Sequence, residues 1–113
     1  MVRAYVPEAG DIVGLEFEPQ AGREQAGRRP AVVLTPEVYN KKTNLMICCP
    51  LTTQIKGYPF EVLVEIDGVQ SAILSDQVKS LDWKIRKAKY KNTVNPRTLT
   101  EVRAKVKSLL SIG

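Results

Sequence analysis

Histidine is absent from this 113-residue chain. That removes mechanisms in which a pair of imidazoles trades a proton near neutral pH, and every metal site that needs an imidazole ligand. Any catalysis must come from Arg, Lys, Thr, Ser, Tyr, Asp or Glu. Cysteine is scarce: only Cys48 and Cys49 occur, side by side in an apolar run. Neighbours on a strand point to opposite faces, so the two neither bridge each other nor share a metal. Both read as buried structural thiols of a reducing compartment. Long apolar stretches are missing too, with nothing near the roughly eighteen residues that would cross a bilayer. The first ten residues, which include Arg3, Pro7 and Glu8, do not make an export leader. The sequence therefore predicts a soluble, cytoplasmic protein with no membrane association.

The length suits one domain with a real core, so residues 1–113 are expected to form a single unit with a single active or binding surface. Seventeen Lys and Arg against twelve Asp and Glu leave a net charge of +5. The excess is uneven: residues 1–56 carry seven basic and six acidic side chains, residues 57–113 ten and six. Lys79, Lys84, Arg86, Lys87, Lys89 and Lys91 crowd together, opposed only by Asp82 and interleaved with Trp83 and Tyr90. Such a field favours an anionic partner, and the aromatic residues are of the kind that stack on bases. Trp83, the sole tryptophan, reads more readily as packed against the core or a protein partner.

Period-two or β-rich stretches fall at residues 11–17, 31–35, 45–50, 60–66 and 71–81, with another candidate at 83–90. Short strands joined by short connections predict a mainly β fold with some α: a small twisted barrel or rolled sheet. The run Leu45 to Cys49 does not alternate, which implies cover on both faces, and a second subunit could be one such cover. A helical turn is expected after Pro36. Asn95 as cap, Pro96 in the first turn, and Leu99, Val102, Val106, Leu109 and Leu110 on one face predict a C-terminal helix. Its Arg97, Arg103, Lys105 and Lys107 would face solvent.

Two segments carry possible chemistry. EPQAGREQAGRR, between Phe17 and Pro30, is a long loop for so small a domain, and Gly22 and Gly27 would let it open and close over a ligand. Arg29 stands just before Pro30 and the strand AVVL, so a rigid backbone would anchor a guanidinium suited to a phosphate. Arg28 beside it points elsewhere. Downstream, Thr52 and Thr53 follow Pro50, where a strand ends and hydroxyl and backbone N–H groups can meet a phosphate oxygen without a metal. Lys56 and Gly57 extend that edge.

Together these segments resemble the MazF family of toxin ribonucleases. The likeness covers nearly the whole chain: VPEAGDIV at residues 6–13, EQAGRRPAVVL at 24–34, PLTTQIKGYPFEV at 50–62 and DQVKSLDW at 76–83. It implies a small SH3-like β-barrel of the CcdB, Kid and MazF type with a C-terminal helix, and a homodimer. It also implies cleavage of single-stranded RNA or mRNA with no metal and no cofactor, and neutralisation by a cognate MazE-like antitoxin. Residue by residue, it makes Arg29 and Thr52 catalytic and places Glu24 and Gln25 near the scissile bond. Lys56 and Gln77 match positions that hold RNA; Arg28, Thr53 and Lys79 are further candidates for it. Glu24 is the best chemical candidate for the base, since a guanidinium with a pKa above about 12 keeps its proton; direct deprotonation by Arg or by water stays open.

One departure matters. The Kid and PemK branch has a His before the Glu-Gln pair and an Arg two residues before Asp-Gln, where this chain has Arg23 and Leu74. Asp76 is therefore not credited with its role in that branch. Nothing in the barrel pattern excludes the gyrase-poisoning CcdB branch, or an inactive decoy that only binds an antitoxin.

Overall fold

A computed structural model describes residues 4–16 and 28–111. Seven strands run in the order β1 (Asp11–Glu16), β2 (Arg28–Val33), β3 (Leu45–Thr52), β4 (Glu61–Ile66), β5 (Val69–Leu74), β6 (Lys79–Asp82) and β7 (Lys89–Thr93). Helix α1 (Glu37–Thr43) separates β2 from β3, a 3-10 turn occupies Ser75–Gln77, and helix α2 (Pro96–Leu110) closes the chain. All strand pairs described are antiparallel, in the sheet order β4-β5-β3-β2-β1-β7, with β6 also on β3. β3 serves as the hinge of this curled sheet: its first half pairs with β6 and its last two residues with β5.

Alternation explains the layering. One face of β1, β2 and β3 presents Ile12, Val32 and Cys49, which pack with Val62 and Ile73 of the β4–β5 hairpin and Val102 of α2. The opposite face presents Val13, Leu15, Ala31, Val33, Met46 and Cys48, covered by Trp83, Leu81, Tyr5 and Val6. These are called the inner and outer faces below. Burial on both sides leaves the central strands no polar face, which is why their sequences do not alternate. Within the run Leu45 to Cys49 the chain itself covers Met46, Cys48 and Cys49, while Leu45 and Ile47 stay half-buried. Trp83 is 7% exposed, so the core reading of that residue holds. Burial pushes the Cys48 thiol up to about 11 and that of Cys49 to about 12, as expected of inert thiols.

The predicted strand over residues 71–81 is instead β5, the 3-10 turn and β6; that over 83–90 is a turn running into β7. Asp82 makes the break, accepting at Oδ1 from the backbone N–H of Lys84 (3.0 Å) and Ile85 (2.8 Å). β2 begins at Arg28, earlier than the sequence suggested, because Glu16 and Leu15 pair opposite Arg28 and Arg29.

In α2, Asn95 accepts from the N–H of Thr98 at 2.8 Å and Pro96 occupies the first turn. Leu99, Val102 and Val106 meet the core, while Leu110 points outward at 73% exposure. Two of the helix's basic side chains are not merely solvated. Arg103 donates to the carbonyl of Leu34 (2.7 Å) and Lys105 to that of Pro59 (2.6 Å), fastening the helix to β2 and to the turn before β4. Among the described residues, no helix is long and apolar enough to cross a membrane.

Asn40, fully buried in α1, ties the outer layer together. Its Nδ2 donates to the carbonyls of Pro7 (2.8 Å) and Thr35 (2.9 Å), its Oδ1 accepts from the Thr35 hydroxyl (2.6 Å), and its carbonyl accepts from Trp83 Nε1 (2.8 Å). Removing the amide strands buried partners, a costlier change than losing a solvated bond. Asn40→Ala is expected to lower unfolding stability by about 3 kcal/mol, measured by urea titration of Trp83 fluorescence. A loss of under about 1 kcal/mol would contradict this assignment.

Candidate functional site

The β2–β3 pair opens at one end, where Arg29 and Thr52 stand. Ala31 lies opposite Pro50 and Val32 opposite Cys49, so continuing this register by two residues sets Arg29 at the level of Thr52. By alternation Arg29 falls on the face of Leu15 and Ala31, and Thr52 on that of Met46 and Cys48, the outer one in both strands. Past Pro50 the β2 pairing stops and β3 continues against β5. The two strands thus fork, with an exposed guanidinium on one arm and a half-buried threonine on the other. The Thr52 hydroxyl accepts from the N–H of Gln54 at 3.1 Å, which turns the chain away from the sheet and leaves its own O–H to donate.

Arg28 does something else. Its guanidinium donates to the carbonyls of Gly14 (3.1 Å) and Lys87 (2.6 Å) and lies 3.5 Å from the Glu16 carboxylate. These bonds hold β1, β2 and the turn before β7 in register on the face opposite Arg29. The strand-positioning role fits Arg28 better than contact with RNA. Lys79 belongs to the Arg29 side: it pairs opposite Cys48, and both it and Arg86 act electrostatically on that thiol. Glu24 and Gln25 lie outside the described residues.

Thr53, Lys56 and Gln77 are exposed and flank a short loop that is braced from several directions. Glu61, only 9% exposed, accepts at Oε2 from the N–H of Lys56 (3.0 Å) and at Oε1 from that of Gly57 (2.7 Å). Gly57 has φ +82, a conformation glycine adopts without strain. The Tyr58 hydroxyl donates to Asp76 Oδ1 at 2.8 Å, and that bond holds the phenol above its usual range. With Lys105 bonded to Pro59, the loop bearing Lys56 is fixed to the turn bearing Gln77. Asp76 therefore serves the site as a brace. Sequence reasoning passed over Glu61, since nothing in PFEVLVEI marks it off from the solvated Glu65 on the same strand. Among the described residues, no three His, Cys, Asp or Glu side chains come together as a metal cage.

A fork of this kind, with an arginine, a threonine and a braced basic loop on a curled sheet, can hold a phosphodiester. A family model described as PemK-like, MazF-like toxin of type II toxin-antitoxin system matches residues 8–110. The chain belongs to this family. The endoribonuclease toxin MazF of Escherichia coli (strain K12) is 49% identical over 110 residues, covering 97% of this chain and 99% of that protein. Endoribonuclease PemK of Escherichia coli is 29% identical over 113 residues, covering 92% and 82%. The crystal structure of MazE-MazF (Form-II) from Deinococcus radiodurans superimposes with a TM-score of 0.89 at 50% identity, covering 97% of this chain and 100% of that one. The architecture expected of a MazF-like chain, a curled antiparallel sheet with a C-terminal helix, is thus the one found.

Because Glu61 braces the loop through two backbone N–H groups, its removal has a local signature. In Glu61→Ala, amide exchange at Lys56 and Gly57 is expected to quicken about tenfold or more, while Val32 in β2 stays protected. Exchange unchanged at both amides would show that the carboxylate does not hold the loop.

Proposed function

We infer that this protein is the toxin of a type II toxin-antitoxin system, an endoribonuclease that cuts single-stranded RNA in the cytoplasm and so arrests translation and growth. The observation that carries the site assignment is the fork: Arg29 and Thr52 stand at one level on one face, at an open strand end of a basic MazF-family chain. The active assembly is a homodimer, and an acidic, largely extended antitoxin of the MazE kind neutralises it by covering the basic surface that RNA would use. RNA and antitoxin then compete, which explains inhibition without an allosteric step.

RNA carries its own nucleophile. The ribose 2′-hydroxyl oxygen attacks the adjacent phosphorus, the bond from phosphorus to the 5′-oxygen breaks, and the products are a 2′,3′-cyclic phosphate and a 5′-hydroxyl. The protein has to align these atoms and offset the charge that builds on the phosphoryl oxygens. Arg29 supplies a forked cation for that charge and hydrogen-bonds the leaving 5′-oxygen, which takes its proton from water. Thr52 adds one hydroxyl donor. Glu24, on the segment before β2, takes the 2′-hydroxyl proton as a carboxylate. Lys56, Gln77 and Lys79 hold the strand on either side, with Thr53 at the rim; Gln25 contacts it near the scissile bond.

Arg29→Ala is expected to lower single-turnover cleavage by about 10²- to 10³-fold or more, with stability and antitoxin binding nearly unchanged. Thr52→Ala should cost less, about tenfold. Cleavage by the Arg29 variant at the wild-type rate would overturn the assignment.

A further inference from the structure

A cleft of about 460 Å³ lies between the tip of the β4–β5 hairpin and strands β1 and β2, on the inner face of the sheet. Pro30 and Leu51 line it from the sheet, Ile66 and Val69 from the hairpin, and its charged groups are Lys91 and Asp67. The size is that of a small-ligand site.

Several independent features mark it as a built site. Val69 points inward with Ile73 and Ser71, yet it is 51% exposed, so this part of the inner face is apolar and uncovered. The hairpin tip is a tight turn. Ile66 pairs with Val69 across Asp67 (φ 51) and Gly68 (φ +81), the two-residue Asp-Gly turn that matches strand twist. On the sheet side, a Cβ at Gly14 would meet Lys91 Cδ and Arg28 Cδ, each at 3.4 Å. The bare backbone at Gly14 lets the Lys91 stem lie against β1, and Lys91 lines the cleft. Finally, Leu51, Thr52 and Thr53 line one side of the cleft, so it reaches the end of β3 at which the fork opens.

Two apolar walls with polar groups at the edge suit a single flat ring. Single-stranded RNA is read in this way, by splaying one base out of the stack and hydrogen-bonding its edge. Asp67 as a carboxylate only accepts, so it selects a base whose edge carries an amino group, while Lys91 suits the neighbouring phosphate.

We propose that this cleft receives the base of a nucleotide adjoining the scissile phosphate and sets the cleavage motif at that position, favouring an amino-bearing base through Asp67. The assignment rests on the reading of this chain as an RNA-cutting toxin. The strand would cross the β2–β3 fork with its phosphate on the outer face at Arg29 and its base turned to the inner face.

The test has two arms. In the first, wild-type protein, Asp67→Asn and Val69→Trp digest random-sequence RNA and the cut ends are sequenced. Asp67→Asn keeps a residue tolerant of positive φ, and is expected to shift the base preference at one motif position by about tenfold, leaving the other positions alone. Val69→Trp should fill the cleft and erase preference at the same position. An identical motif in a folded Asp67→Asn variant overturns the proposal. In the second, AMP, CMP, GMP and UMP are titrated while the methyl resonances of Ile66 and Val69 are followed. The amino-bearing nucleotides should move them and UMP should bind about tenfold more weakly. Methyl shifts with a wild-type protein that cuts no RNA would sink the functional reading and keep the cleft. No response to any nucleotide, or a response only to an acidic antitoxin peptide, would assign the cleft to another occupant.

Discussion

Burial of β1, β2 and β3 on both faces dictates where the polar side chains of these central strands can go. Ile12, Val32 and Cys49 meet the β4–β5 hairpin and α2, while Val13, Ala31 and Cys48 meet Trp83 and the N-terminal segment. With no wet face left in the middle of these three strands, their charged side chains, Asp11, Glu16, Arg28 and Arg29, fall at strand ends. The open end of β2–β3 is one such place, and there the change of β3's partner from β2 to β5 leaves a fork. The site is a consequence of how a small barrel-like sheet runs out of pairing.

Electrostatics at this end are sorted by face. The inner-facing Arg28 neutralises Glu16 and caps two carbonyls, which keeps the β1–β2 register against the pull of a basic surface. The outer-facing Arg29 stands with Lys79 and Thr52 on the side a phosphate would approach. Adjacent arginines in one strand are thus separated into a structural and a chemical role by alternation alone. Glu61, Asp76 and Tyr58 contribute in a different way. They hold the Thr52–Tyr58 loop so that less order has to be imposed when a strand of RNA binds.

Much of this was legible from sequence, for reasons that differ by element. α2 announced itself through Asn95, Pro96 and a clean apolar stripe, since helix signals are local. β1, β3 and β4 were readable because apolar β-rich residues have few other uses. The boundaries of β5, β6 and β7 were not, because the Ser75–Gln77 turn and the side-chain bonds of Asp82 break an apparently continuous polar and apolar pattern without leaving a periodic trace. Arg29 and Thr52 were singled out by likeness to a family. That they share a face follows only from the β2–β3 register, which no local pattern in either strand contains. The cover over Met46 and Cys48 was illegible for the same reason: a distant segment, Trp83 and its turn, provides it.

The central claim is that the fork acts on an RNA whose own oxygen does the attacking. It is tested most directly with a cleavable oligonucleotide in which the ribose immediately 5′ of the scissile phosphate is replaced by deoxyribose. The account predicts that this strand binds nearly as well as the all-RNA strand, because phosphates and bases carry the affinity, and that it stays uncut. Cleavage of the substituted strand at that phosphate would contradict the account, since some other nucleophile would then have to be at work.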